Sequence, residues 1–188
     1  MSASLVGSEM CIRDSIMVME SFDFREELKK ILESCVDKML KNDHYLLENK
    51  THECSISFRI GHYLQNELDS LKKSDRLNIP ENLVVDAEYN KCLNGSKICI
   101  DELGKESLMR PDLIVHIRGE NGFDNNFMAI EIKKSINGSC ETEKDYFKLK
   151  NLTFGKNEFQ YQIGAHVVID LSKKSREIRW FKDGSPED

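Results

Sequence analysis

Glu131 and Lys133 put a carboxylate and an ammonium two residues apart inside the extended-looking stretch 127–135. Side chains of a strand alternate between its faces, so Ala129, Glu131 and Lys133 share one face while Met128, Ile130 and Ile132 share the other. The apolar set is expected to face the core, which leaves Glu131 and Lys133 side by side on the opposite face. Asp112, directly after Pro111, opens the preceding strand and stands beside them if the two strands form a hairpin. Gathered carboxylates are the ligand type of hard divalent cations. Taken alone, the pattern reads first as a solvated strand face with a cross-strand ion pair.

A short series of elements must position these residues. Leu28, Ile31, Leu32, Cys35, Val36, Met39 and Leu40 recur at helical spacing. Ser21 or Asp23 can cap this helix, Asp23 with Glu26 having nearly the capping-box form, and the helix is predicted to run to about Lys41. A second helix is predicted over 53–73, where Ile56, Ile60, Tyr63, Leu64, Leu68 and Leu71 share a face, with Pro80 beyond it as a breaker. Glu53 falls on the inward side of that helix, and an inward carboxylate needs a partner. After Pro80 the period becomes two. Strands are predicted over 83–90, 112–118 and 127–135, the last two joined by the Gly/Asn/Asp-rich turn 119–126. A helix over 141–152 and strands over 165–171 and 176–182 complete the order. Gly164 is expected to permit a turn, and Trp180 and Phe181 to be core or interface side chains.

At 188 residues the chain is the size of one domain. Apolar residues make up 39%, charged residues 32% and the mean hydropathy is -0.50, which excludes a disordered polar chain. No apolar run approaches the roughly 20 residues needed to cross a bilayer, so a cytoplasmic protein with no membrane partner is expected. Six cysteines without CxxC pairs read as free thiols, and Cys92 and Cys99, seven apart, match no zinc pattern. The stretch 5–14, LVGSEMCIRD, resembles a translated sequencing adapter joined to an assembled metagenomic reading frame. On that reading 1–16 is a disordered artefact, Cys11 has no function, the native start is Met17 or Met19, and 17–188 is a single domain. Net charge is -6, yet 144–182 carries nine Lys or Arg against four Asp or Glu. A polyanionic partner is therefore expected to meet the C-terminal half.

Arg110-Pro111-Asp112, a strand, a turn and then Ile130-Glu131-Ile132-Lys133 resemble the PD-(D/E)xK nuclease superfamily, Pro111-Asp112 matching its PD and Glu131-Ile132-Lys133 its ExK. The segments VVDAEYN, RPDLIVH and AIEIKKS also resemble small uncharacterised bacterial and phage members of that superfamily. The resemblance implies an α/β fold: a restriction-endonuclease-like αβββαβ core over about two-thirds of the chain, with an extra N-terminal helix and a C-terminal strand. It further implies a magnesium-dependent nuclease, Mn²⁺ being the other candidate ion, that hydrolyses phosphodiester bonds, of DNA first.

In that reading Asp112 and Glu131 bind the ion with the Ile132 carbonyl, Lys133 sits near the attacking water or the phosphate, and Glu53 serves a second ion or a bound water. Lys134 points the other way, toward a structural contact. Asp86 and Glu88 are candidate added acids. Arg59, Arg110, Lys144, Lys148 and Lys150 are candidate contacts to nucleic-acid phosphates. A homodimer is left open. The rival readings are a catalytically weak nucleic-acid-binding or regulatory module on the same fold, and a nuclease for RNA or branched DNA.

Overall fold

The computed structural model describes residues 24–49, 51–74, 79–92, 95–100, 106–136, 140–155 and 159–187. The N-terminal stretch 1–16, Cys11 and the cap at Ser21 or Asp23 lie outside the described residues, as do the side chains of Cys92 and Cys99. Helix α1 (Phe24–Asn42) buries Leu28, Ile31, Leu32, Cys35, Val36 and Met39 along one stripe. A short α2 (His44–Glu48) follows, and α3 (Glu53–Lys73) lies against α1 through Ile56, Ile60, Tyr63, Leu64 and Leu68.

Six strands form one mixed sheet in the order β1 (Leu83–Ala87), β6 (Leu113–Ile117), β7 (Asn126–Ser135), β8 (Ile163–Asp170), β9 (Ser175–Lys182) and β10 (Ser185–Pro186). Every neighbouring pair is antiparallel except β7 with β8, which run parallel because α4 (Glu143–Thr153) crosses over between them. Between β1 and β6 the chain inserts two small hairpins, β2 (Lys91–Cys92) with β3 (Gly95–Ser96), and β4 (Ile98–Ile100) with β5 (Glu106–Leu108). The buried Lys97 pins this insert by donating to the Tyr161 hydroxyl at 2.6 Å.

Helices cover both faces of the sheet. Met128, Ile130, Ile132, Ile163, Ala165, Val167 and Ile169 join the α1 and α3 side chains in the larger core. Ile114, Ala129 and Phe181 join Leu149 and Leu152 of α4 in a smaller one. The expected solvated face of β7 is therefore a covered one: Ala129 is fully buried and Glu131 is 1% exposed. Gly164 also departs from expectation. It lies within β8, where an added Cβ would come within 3.1 to 3.2 Å of Phe181, Thr153 and Leu149, so its role is close approach of α4 to the sheet. Strand β1 is shorter than predicted because Glu88 turns out of it with φ 48°.

The outer edge of β1 is capped by side chains. Gln65 accepts the Val85 amide at 2.7 Å, and the Lys72 ammonium donates to the Leu83 carbonyl at 2.7 Å. No helix among the described residues is long and apolar enough to cross a membrane.

Candidate active site

Strand β7 is longer than β6, and its last residues overhang the end of that neighbour. The register ends with Leu113 opposite Ile130, so amides on that side of β7 beyond Ile130 have no ladder partner from β6. Two carboxylates take that place. Asp112 Oδ2 accepts the Ile132 amide at 2.7 Å, and Glu53 Oε1, from the first turn of α3, accepts the Lys134 amide at 3.1 Å. Amide and carbonyl of one strand residue point to the same edge, so the Ile132 carbonyl faces the gap beside Asp112. Lys134 turns away and donates to the Thr51 carbonyl at 2.5 Å, a structural contact.

On the α4 face of the same overhang the charges converge. Glu131 Oε2 receives the Lys148 ammonium at 2.5 Å, while Glu131 Oε1 is buried without a hydrogen-bond partner. Lys133 stands 3.7 Å from Glu53 and 3.6 Å from Asp145; Lys148 stands 3.6 Å from the other oxygen of Asp145. Asp145 lies in the first turn of α4, where the helix dipole favours an anion. His166 of β8 sits opposite Glu131 in the parallel register, with Nε2 at 3.6 Å from Asp145 Oδ2. That is an ion-pair distance and too long for a hydrogen bond, so both atoms are buried without a hydrogen-bond partner.

Burial pushes the Glu131 carboxyl up to about 8; Lys148 opposes the shift and Asp112 and Asp145 add to it. Burial likewise raises Asp112, against the Ile132 amide and the two lysines. For Asp145 burial works toward a higher pKa, but His166, Lys133 and Lys148 outweigh it and hold the carboxyl below its ordinary value. Burial disfavours the charge of Lys133, yet Asp145, Glu53, Asp112 and Glu131 together keep it above 10.5. The result is a lysine whose charge the surroundings favour beside a carboxyl whose charge burial disfavours.

An open cleft of about 440 Å³ lies here, lined by Glu53, Lys133, Lys144, Asp145 and Lys148 among others. A second, of about 350 Å³, is lined by Asn90, Leu108, Arg110 and the same Lys148. Of the residues singled out in the sequence, Glu53, Asp112, Glu131, Ile132, Lys133 and Lys148 come together at one place. Lys144 lines the first cleft and Arg110 the second, Arg110 pairing with Glu88 at 3.6 Å. Lys150 is exposed on α4. Arg59 is engaged elsewhere, bonded to Asp43 at 2.9 Å and to the Tyr63 hydroxyl at 2.8 Å. Asp86 pairs with His116 and Arg118 instead of joining the cleft lysines. Asp145 and His166 escape sequence reasoning. A single aspartate in a charged helix and a lone histidine carry no local signal, and only the α4 crossover and the β7–β8 register bring them to Glu131.

Among the described residues no group of three or more His, Cys, Asp or Glu side chains is arranged to hold a metal ion as they stand. No family model matches the chain, and no curated protein matches it. The crystal structure of SSO0001 is similar over 88% of this chain and 79% of that one, with 22% sequence identity and a TM-score of 0.31, a likeness too distant to carry an argument.

Proposed function

We propose that this chain is a metal-dependent nuclease of the PD-(D/E)xK, restriction-endonuclease-like type, hydrolysing phosphodiester bonds of DNA. The observation that carries this reading is the buried Glu131, one oxygen without a partner, grouped with Asp112, Glu53 and Lys133 at the overhanging end of β7. The order α3, β1, β6, β7, α4, β8, with a parallel β7–β8 pair, supports the αβββαβ core.

The residues present fit a hard divalent ion. Glu131 Oε1, Asp112 and the Ile132 carbonyl are oxygen donors at the same end of β7, Asp112 lies close enough to act on the Glu131 charge, and Glu131 has an acceptor atom that no protein group satisfies. Mg²⁺ or Mn²⁺ would supply Lewis acidity at the phosphoryl oxygens and lower the pKa of a water. The chain's own residues do the remainder. Asp112 and Glu131 would hold the ion, while Glu53 ties the β7 backbone and faces Lys133. Lys133, held protonated by four carboxylates, presents a fixed positive charge to the phosphate as negative charge grows there. Lys144 and Arg110, one in each cleft, offer contacts to flanking phosphates.

The test is incubation of the full chain with single-stranded, duplex and branched DNA and with RNA, each with and without Mg²⁺. Expected is Mg²⁺-dependent cleavage of DNA that is lost in Glu131→Gln. Cleavage confined to RNA or to branched DNA would change the polymer and keep the chemistry. One observation favours a second reading, a catalytically weak nucleic-acid-binding or regulatory module: Lys148 neutralises Glu131 without any metal. Binding of every polymer with no cleavage in either ion would select it.

A further inference from the structure

We infer that Lys148 is the built-in counter-ion of the acidic centre, and that a divalent cation enters by displacing it toward the substrate-bearing clefts. This rests on the metal-dependent reading above. Four carboxyl groups, Glu53, Asp112, Glu131 and Asp145, are drawn together at the end of β7, and whichever of them ionises needs a cation beside it. Lys133 faces Glu53 and Asp145, so the cation nearest to Glu131 is Lys148, touching Oε2 at 2.5 Å and lying 3.6 Å from Asp145. The ammonium thus sits on the second oxygen of the carboxylate whose first oxygen, the unpartnered Oε1, would hold an ion. A dication on Oε1 and an ammonium on Oε2 repel one another across the buried carboxylate, and the lysine side chain is the partner free to move away.

The geometry also provides somewhere for the displaced group to go. Lys148 is about a quarter exposed, its ammonium is held by Glu131 and Asp145, and it lines both clefts, the one with Lys144 and the one with Arg110. Its four-carbon stem can turn the ammonium into either cleft without moving α4. There it becomes a third cation between Lys144 and Arg110, on the path of a phosphodiester backbone. One side chain then serves two states: it neutralises Glu131 when the centre holds no ion, and contacts phosphate when it does. A structural ion pair would serve only the first state.

Calcium, a hard cation that binds oxygen ligands, is the probe. Calorimetry measures Ca²⁺ binding to the parent, Lys148→Met and Lys148→Arg. The amine reactivity of Lys148 in the parent is followed by reductive methylation and peptide mass spectrometry. Displacement predicts that Lys148→Met binds Ca²⁺ roughly tenfold or more tightly than the parent, because the competing charge is gone. Lys148→Arg, which keeps that charge, should bind no more tightly than the parent. Saturating Ca²⁺ should raise Lys148 methylation severalfold in the parent, a readout that needs no variant to fold. If the parent binds Ca²⁺ with Lys148 reactivity unchanged or lowered, the inference is overturned whatever the variants do, and the nuclease reading stands. If neither the parent nor Lys148→Met binds Ca²⁺ or Mn²⁺, both are overturned.

Discussion

The two faces of the central sheet are built on opposite principles. Under α1 and α3 the β7 side chains Met128, Ile130 and Ile132 join the larger apolar core. Under α4 the alternate residues of the same strand pass from Ala129 in a small core to Glu131 and Lys133 among Asp145, Lys148 and His166. One strand therefore carries stability on one side and stored electrostatic cost on the other. Buried ionic groups are weak contributors to stability even when paired. The dry face is what allows the charged face to be kept.

The first way to break this contrast is Lys133→Ala. Cleavage in Mg²⁺ should fall by about 10³-fold, about 4 kcal/mol of transition-state stabilisation, with folding and metal binding largely intact. Single-turnover kinetics beside a thermal melt checks it, and parental cleavage by the variant would remove this cluster as the catalytic centre. On the dry face the expectation reverses. Ile130→Ala should cost about 3 kcal/mol in urea unfolding, through lost burial and a cavity, while the metal affinity of whatever folds is unchanged.

A pH series sharpens the contrast further. Glu131 has a folded pKa of about 8 against an ordinary 4.5, so its protonated form favours the native state. That contribution is full below pH 4.5 and is lost as pH rises through 8. His116, whose buried ring titrates below 6.5, acts in the opposite sense, losing stability as pH falls below that value. The clean window is therefore pH 6.5 to 8. There the metal-free parent should lose on the order of 1–2 kcal/mol of stability that Glu131→Gln retains. Parallel stability curves for the two would mean that Lys148 already holds Glu131 fully ionised. The smallest effect is expected from Lys144→Ala, which should weaken DNA binding slightly at low salt and reduce the slope of log affinity on log salt by about 1. An unchanged slope would take Lys144 off the phosphate path.

The long periodic elements were legible in the sequence. Helix α3 runs from Glu53 to Lys73, where its apolar stripe and the later Pro80 indicate, and β7 begins one residue before its expected start. What misled was the rule that a charged strand face is a wet one. Glu131 and Lys133 look solvated because the strand pattern does not reveal that α4 returns over them. Gly164 was opaque for a related reason, since a glycine that admits a helix and one that permits a turn look alike in one dimension. The short α2 and the insert hairpins lacked the length for a periodic signal. For the site, Asp112, Glu131 and Lys133 were readable because strand spacing fixes their side. Asp145 and His166 reach the same place through a crossover and a parallel register that no local spacing records.

The capped edge of β1 bears on how copies of this protein can associate. With Gln65 on the Val85 amide and Lys72 on the Leu83 carbonyl, two of the outward-facing groups of that strand are already spent. The opposite edge, β10, is two residues long and contains Pro186, whose nitrogen has no hydrogen to donate. Strand addition is hindered at the β1 edge, but β10 covers only Phe181 and Lys182 of β9, and the outer edge of β9 before Trp180 has no ladder partner among the described strands. A homodimer that extended the sheet would therefore have to pair along β9 and not along β1.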